Sequence, residues 1–393
     1  MSFQKDIYDY FATAALGIEQ ILAQELAALG AQEIQVSKAG VRFRGPLELG
    51  YKACLWLRTA NRVLLVLSRF PAPDSDSLYR GVRKIHWTDH LTYKDTLAVD
   101  FSASSSDIAT RGVHTHFAAL KVKDAIVDQF RVVTGDRPSI DTATPDVRIN
   151  VYLTNGEATV CIDLSGDSLH LRGYRREGSA APLKENLAAA LLLQAGWNTD
   201  SVREQPDRAF LDPMCGSATL LIEAALIAAN AAPGLMRRYY GFLGWQGHVP
   251  KLWQRIKEEA QSQHVTNAKK IPRIVGYDSD ARAIRIAIAN IERAGFTGIV
   301  HVEKCDLKMA ELTSKKGLLV VNPPYGERLG EIETLKPLYK DLGDVFKQRF
   351  KGWEAYVFTG SRELAKSVGL KTTQKTVFYN GPIECRLLKY EIF

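Results

Sequence analysis

Apolar residues recur along this chain in two rhythms, and the change between them falls in a glycine-punctuated stretch around residues 165–178. Before it, short alternating runs mix with helical spacing. Residues 7–12 read as a strand. Ile18, Ile21, Leu22, Leu26 and Leu29 then share one helical face, which Gly30 ends. Short strands follow at 34–36 and 41–44. A second α+β pattern occupies 47–164. It predicts helices over 47–57, 78–85 and 117–130, and strands over 63–67, 97–101, 147–153 and 159–164. A loop rich in Pro, Asp and Ser spans 71–77. The last two strands meet at Asn155-Gly156, a hairpin signal.

After the glycine-rich stretch the pattern becomes regular. A helix over 181–194 is followed by strands near 209–211, 274–277, 299–303, 318–321 and 355–359, alternating with helices. That alternation predicts an α/β fold with a mostly parallel, doubly wound sheet. Two closing strands, 375–378 and 384–390, flank Asn380-Gly381-Pro382 and read as an antiparallel hairpin on the sheet edge. No internal repeat or low-complexity tract is visible.

Composition narrows the class. The 393 residues exceed what one core accommodates. A hydrophobic share of 46% and a charged share of 24% exclude a disordered chain, a collagen-like repeat and a disulfide-stapled miniprotein. Charges interrupt every apolar stretch before the ~18–20 residues a membrane helix needs. Met1-Ser2-Phe3-Gln4-Lys5-Asp6 carries no apolar segment, so no secretory signal is expected. Five dispersed cysteines without a C-x-x-C pair fit reduced thiols in a cytoplasmic protein. The eight histidines show no ligand spacing, so no metal is assigned. Residues through Arg175 are charge-balanced, and the whole net charge of +7 lies beyond them. That excess suits a polyanionic partner such as nucleic acid, and equally a basic enzyme without one.

Candidate chemistry sits at the strand ends. Asp212-Pro213-Met214-Cys215-Gly216-Ser217-Ala218-Thr219 reads as a tight small-residue loop between a strand and a helix. At Gly216 a ligand can approach the backbone with no Cβ between. The loop is neither G-x-G-x-x-G nor G-x-x-x-x-G-K-[ST], which disfavours nucleoside-triphosphate chemistry. No histidine is placed beside Cys215 by sequence, so it is not taken as a nucleophile. Gly276-Tyr277-Asp278-Ser279-Asp280 ends the second strand, where an acidic residue can accept from ribose hydroxyls. Asp280 fits a helix N-cap, and Asp306 either meets an adenine amino group or begins a loop. Asn322-Pro323-Pro324-Tyr325 follows the fourth strand. Its prolines donate no N–H, leaving the Pro323 carbonyl and the Asn322 side-chain oxygen as paired acceptors. Tyr325 adds a flat face for a base. Two acceptors and an aromatic plate suit an exocyclic amine on a planar ring.

Those two motifs, the second continuing as Gly326-Glu327-Arg328-Leu329, resemble the bacterial 23S ribosomal RNA guanine-N2 methyltransferases that carry a THUMP domain. The resemblance runs along nearly the whole chain. Residues 117–128 are similar to the THUMP part, and 163–175 with 181–188 to its junction with the methyltransferase. It implies a ferredoxin-like α+β subdomain at 1–48 and a THUMP RNA-binding domain at 49–165. A linker at 166–180 would then lead into a Rossmann-like class I methyltransferase domain at 181–393. Two departures stand out. The family loop usually has Gly where Ala218 stands, a change tolerated if φ there is negative. Some relatives continue into a second methyltransferase, whereas this chain ends at Phe393 after one catalytic domain, so no second activity is carried over.

The cofactor implied is S-adenosylmethionine. Asp212, Cys215, Gly216, Ser217 and Thr219 would hold its amino-acid end, Asp278 and Ser279 its ribose side, and Asp306 its adenine. The target guanine would stack on Tyr325 with its N2 amine donating to Asn322 and Pro323. The implied partner is 23S ribosomal RNA or a large-subunit assembly intermediate, with no membrane. In the insertion between the first two sheet strands, Arg237 and Arg238 interleave with aromatics through Trp245. These either grip phosphates and stack bases or pack beneath a long loop. Lys121 and Lys123 are a second RNA-binding candidate, or solvate a surface face. Two rival readings are an adenine-N6 DNA methyltransferase and a non-catalytic RNA-binding assembly factor. The THUMP-like part argues against the first, and the intact Asp212, Asp278 and Asp306 against the second.

Overall fold

The computed structural model describes residues 6–111, 113–175, 183–264, 270–314, 316–326 and 329–393, and for 110, 111 and 329–331 the backbone alone. Residues 176–180 of the expected linker, Ala181 and Pro182, and Glu327 and Arg328 of the second motif lie outside the described residues. The described strands form two sheets.

The first sheet holds β1 (Tyr8–Thr13), β2 (Gln32–Ser37), β3 (Gly40–Gly45), β4 (Arg62–Pro71), β5 (Thr96–Ala103), β6 (Ser139–Ile140), β7 (Val147–Thr154) and β8 (Glu157–Asp163). Their order is β2-β3-β1-β4-β8-β7-β5-β6. The first two units of the sequence therefore share one sheet. β1 pairs antiparallel with β4, Tyr10 opposite Leu65, and the junction expected between residues 48 and 49 falls inside the helix Leu47–Trp56. In β7, Val147, Ile149, Val151 and Leu153 are buried while the residues between face outward, the period-2 pattern of a half-covered strand. Asn155 and Gly156 both adopt positive φ, at +52° and +73°, as a tight hairpin turn requires. The buried Asp107 carboxylate accepts both of their N–H groups, at 2.7 and 3.0 Å. It belongs to the short helix Ser105–Arg111, which no apolar periodicity announced.

The second sheet comprises β9 (Ala209–Asp212), β10 (Ile274–Asp278), β11 (Val300–Lys304), β12 (Gly317–Val321), β13 (Glu354–Thr359), β14 (Gln374–Asn380) and β15 (Ile383–Glu391). Its order is β11-β10-β9-β12-β13-β15-β14. The first five are parallel neighbours, β15 runs antiparallel to β13, and β14 forms the edge. All five residues of β12 are buried, as expected for a strand covered on both faces. From β9 the chain moves outward to β10 and β11, then returns to β12 on the other side of β9. The strand order thus reverses between β9 and β12, and their carboxyl ends open a crevice there.

Apolar and polar contacts join the two sheets. Tyr51, on the helix Leu47–Trp56, lies 4.4 Å centroid to centroid from Phe242 of the insertion, and Phe242 packs edge-on to Trp253 at 5.0 Å. Tyr240, Phe242 and Trp245 are buried, so of the two roles open to these aromatics, packing holds for those three. A buried polar chain crosses the same boundary. The Glu25 carboxylate accepts the Arg58 N–H at 2.8 Å, the Arg58 guanidinium donates to the Ala231 carbonyl at 2.9 Å, and Arg172 meets Glu223 at 3.5 Å. No helix among the described residues is long and apolar enough to cross a membrane.

Candidate active site

The crevice between β9 and β12 contains a cleft of about 1040 Å³, lined by both motifs: Asp212, Met214 to Ser217 and Thr219 on one side, Asn322 to Gly326 on the other. A smaller groove of about 210 Å³ meets it at Met214 and is lined by Asp278, Ser279 and Asp306. The eight residues expected to hold a cofactor and the three expected at the target amine thus line a trench made of these two cavities, which share Met214. Gly216 and Tyr325 face the same cavity.

The loop after β9 is fastened from several directions. The Cys215 N–H donates to the Tyr277 carbonyl at 2.7 Å, and the Gly216 N–H to the Asp278 carboxylate at 2.9 Å. Asn290 donates to the Ser217 carbonyl at 3.0 Å and is itself held by Arg293. Gly276 on β10 permits this packing, since a Cβ there would come within 2.9 Å of the Cys215 Cβ. Gly216 adopts φ +52°, and the space beside it is open. Ala218 adopts φ +67° at the start of the helix Thr219–Ala228. The negative φ on which its tolerance rested is therefore absent. The methyl group sits in the left-handed region, at a cost of about 1–2 kcal/mol.

Asp212 is buried at 2% exposure. Its carboxylate accepts the Met214 N–H at 3.1 Å. Burial, aided by the Asp278 charge, pushes its pKa up to about 8. Burial also raises the Cys215 thiol well above its ordinary value, which keeps it protonated and a poor nucleophile. Asp306 caps the short turn Leu307–Met309, its carboxylate accepting the Lys308 N–H at 2.9 Å, and borders the trench from there.

On the opposite wall, the Asn322 side-chain oxygen is buried with no hydrogen-bond donor. An unpaired buried acceptor costs about 1–3 kcal/mol, and Asn322 is one of the residues that line the cleft. Tyr325 accepts a hydrogen bond from Asn380 at 2.8 Å. The ring lies against Gly360, where a Cβ would sit 3.1 Å from it. Asn380 to Ile383, the tip of the β14–β15 hairpin, therefore forms part of the cleft. The sequence marked that tip as a turn, and nothing local to it signals a place at the site. Lys184 also lines the cleft, unremarked until the fold brings it there. Arg175 reaches in from the connector, donating to the Leu183 carbonyl at 3.0 Å and to the Thr219 hydroxyl.

The residues expected to bind RNA stand apart from this trench. Arg237 requires a correction. Its guanidinium donates to the carbonyls of Ser165, Asp167, Ser168 and Leu171 at 2.7–3.1 Å and lies over the Tyr240 ring. Both terminal nitrogens are spent on connector carbonyls and the Nε is buried, which leaves the group no accessible donor for a phosphate. Arg238 is exposed. Lys121 lies over the Phe117 ring, and Lys123 pairs with Asp124 at 2.6 Å, both on the helix Thr115–Thr134. No group of metal-ligating side chains occurs among the described residues.

Three family models match the chain: an RlmL ferredoxin-like domain over residues 9–64, a THUMP domain over 72–163, and an RMKL-like methyltransferase domain over 172–389. The ribosomal RNA large subunit methyltransferase K/L of Methylococcus capsulatus is 49% identical over 384 residues, covering 98% of this chain and 51% of that protein. The enzyme of the same name from Pseudomonas aeruginosa is 47% identical over 391 residues, covering 98% and 53%. The chain spans about half the length of the curated relatives it matches. Among solved structures, SMU.472 complexed with SAH superposes with a TM-score of 0.87 at 32% identity, covering 99% of both chains. A Listeria monocytogenes protein described as a predicted N6-adenine-specific DNA methylase gives 0.86 at 32%, covering 99% and 97%.

Proposed function

This chain belongs to the RMKL-like methyltransferase family, and from that premise we propose that it methylates the exocyclic N2 amine of a guanine in 23S ribosomal RNA. The donor is S-adenosylmethionine, which supplies an electrophilic methyl group on a sulfonium. The trench fits such a molecule. Gly216 leaves its backbone open, Asp212 is a buried carboxyl with no ion-pair partner among the described residues, and Asp278, Ser279 and Asp306 offer acceptors further along. Asp212 and the Gly216–Thr219 turn would take the amino-acid end, Asp278 the ribose, and Asp306 the adenine amino group.

The observation that carries the reading is the orphaned Asn322 oxygen. Together with the Pro323 carbonyl it can accept both protons of an aryl amine. That amine is a weak nucleophile because its lone pair is delocalised into the ring. Accepting both protons favours rehybridisation and frees the lone pair. Tyr325, held by Asn380 and braced on Gly360, offers a fixed face for the base. Orientation supplies most of the acceleration and the two oxygen dipoles the remainder. A guanine inside a duplex is out of reach, so the target is unpaired or flipped out. The substrate is 23S ribosomal RNA, free or within a large-subunit assembly intermediate, in the cytoplasm. The THUMP match within the same chain favours RNA over DNA.

The test is nucleoside mass spectrometry of 23S ribosomal RNA from a deletion strain. One N2-methylguanosine should be lost, restored by the parent gene and not by Asn322→Ala. An unchanged guanosine profile, or a missing N6-methyladenine in DNA, would overturn the assignment.

A further inference from the structure

A second cavity of about 780 Å³ lies beside the cleft and shares Gly360 with it. Its floor is the face of the β14–β15 hairpin on which Lys375 stands opposite Leu388, and Arg386 follows Glu384 two residues on. Its wall is the segment from Thr359 through the helix Arg362–Ser367. Four cations line it: Arg362, Lys366, Lys375 and Arg386. Glu384 is the acidic residue lining it, and it is held by Arg386 at 3.0 Å and Arg362 at 3.4 Å. Lys366 and Lys375 are exposed and have no ion-pair partner among the described residues. The cavity thus carries three more positive than negative charges, immediately behind the ring proposed to hold the target base.

We infer that this groove binds the sugar–phosphate backbone of the nucleotides adjoining the methylated guanine, an inference that rests on the RNA-methylating reading above. Three considerations favour a backbone over a small anion. The cavity is lined by Lys375, Glu384, Arg386 and Leu388 of a hairpin whose tip already belongs to the cleft. Its cations stand on the helix and on both strands of the hairpin, Arg362 and Arg386 meeting at Glu384 while Lys366 and Lys375 stand apart from that pair. Gly360, against which the Tyr325 ring lies, lines both cavities, so a strand leaving a base seated on that ring can run from one into the other. Lysines with free ammonium groups suit phosphates without reading sequence. The hairpin therefore has two roles: its tip shapes the cleft, and its face guides the strand.

The test compares Lys366→Glu/Lys375→Glu with the parent, using 23S ribosomal RNA transcribed in vitro and hence unmethylated. Lys351→Glu serves as a control for net charge; Lys351 is exposed and precedes β13, at the opposite end of the strand from the groove. Binding is measured against salt concentration, S-adenosylmethionine binding by calorimetry, and methyl transfer by KM and kcat. Each lost phosphate contact should reduce the slope of log K against log salt by about 0.7, and the double variant should bind roughly tenfold more weakly. KM for RNA should rise in step, with kcat at saturation and cofactor affinity unchanged. Parent-like affinity and slope in the double variant would overturn the groove, as would an equal loss per charge in Lys351→Glu. A parent that binds the transcript but methylates guanine neither there nor in large-subunit assembly intermediates would refute the proposed activity, while the binding ratio still decides the groove. A parent that does not bind the transcript would overturn both.

Discussion

Replacing Asp212 by asparagine isolates the electrostatics of the cleft. The carboxyl is 2% exposed, accepts the Met214 N–H, and lies near the Asp278 charge. Burial lifts its pKa from the ordinary 3.8 to about 8. As pH rises, the unfolded chain gives up this proton first, and the folded protein only near pH 8. The contribution to stability is therefore complete below the ordinary value and is lost as pH climbs towards the folded one. Each unit of pKa difference corresponds to about 1.4 kcal/mol, so this group removes on the order of 6 kcal/mol over the window. Asparagine has the same shape and no charge, and loses none of it. In ligand-free denaturant unfolding, Asp212→Asn should gain on the parent progressively between about pH 4 and about pH 8. Adding S-adenosylmethionine should reverse the order, because its ammonium group compensates the ionised carboxylate of the parent and has no charge to meet in the variant. Parallel stability curves for parent and variant would refute the reasoning, as would equal stabilisation of both by the cofactor.

Three further substitutions probe the parts around the cleft. Arg237→Ala strands four carbonyls of the connector and should destabilise the protein by roughly 2–4 kcal/mol. RNA affinity of the folded fraction should be unchanged, and a selective loss of RNA binding at parental stability would restore the phosphate role. Ala218→Gly relieves a left-handed alanine worth about 1–2 kcal/mol, against an unfolded-chain entropy of about 0.4–1 kcal/mol. Its unfolding midpoint should equal or exceed that of the parent, and a clear drop would contradict the backbone geometry. Gly360→Ala places a Cβ 3.1 Å from both the Tyr325 ring and Ile383. It should lower kcat and raise KM for RNA with cofactor affinity intact, and parental kinetics would show that the ring is not braced there.

The chemistry was legible because it sits where local signals are strongest. A strand of buried apolar residues, a small-residue loop and a helix can be recognised from neighbours alone, and so can Asn322-Pro323-Pro324-Tyr325, whose prolines fix the backbone wherever the chain places them. The Asn155-Gly156 turn was readable for the same reason, as both residues tolerate positive φ. The run 237–245 was ambiguous. Basic residues among aromatics look alike whether they face solvent or a partner element, and only the packing of Phe242 on Tyr51 and the four carbonyls around Arg237 distinguish the cases. The condition set for Ala218, a negative φ, could not be read from the sequence, because φ there is set by how the loop closes onto β10 and not by the residue itself.

The amino-acid order alone determined the elements, their alternation and the reactive groups at the strand ends, since hydrogen-bond periodicity and side-chain chemistry act over a few residues. Tertiary structure decided that the β14–β15 tip reaches the cleft beside Tyr325, that Arg237 turns inward, and that Asp212 holds its proton near neutral pH. Burial and desolvation depend on which distant segments cover a group, and that cover exists only once the chain has closed on itself.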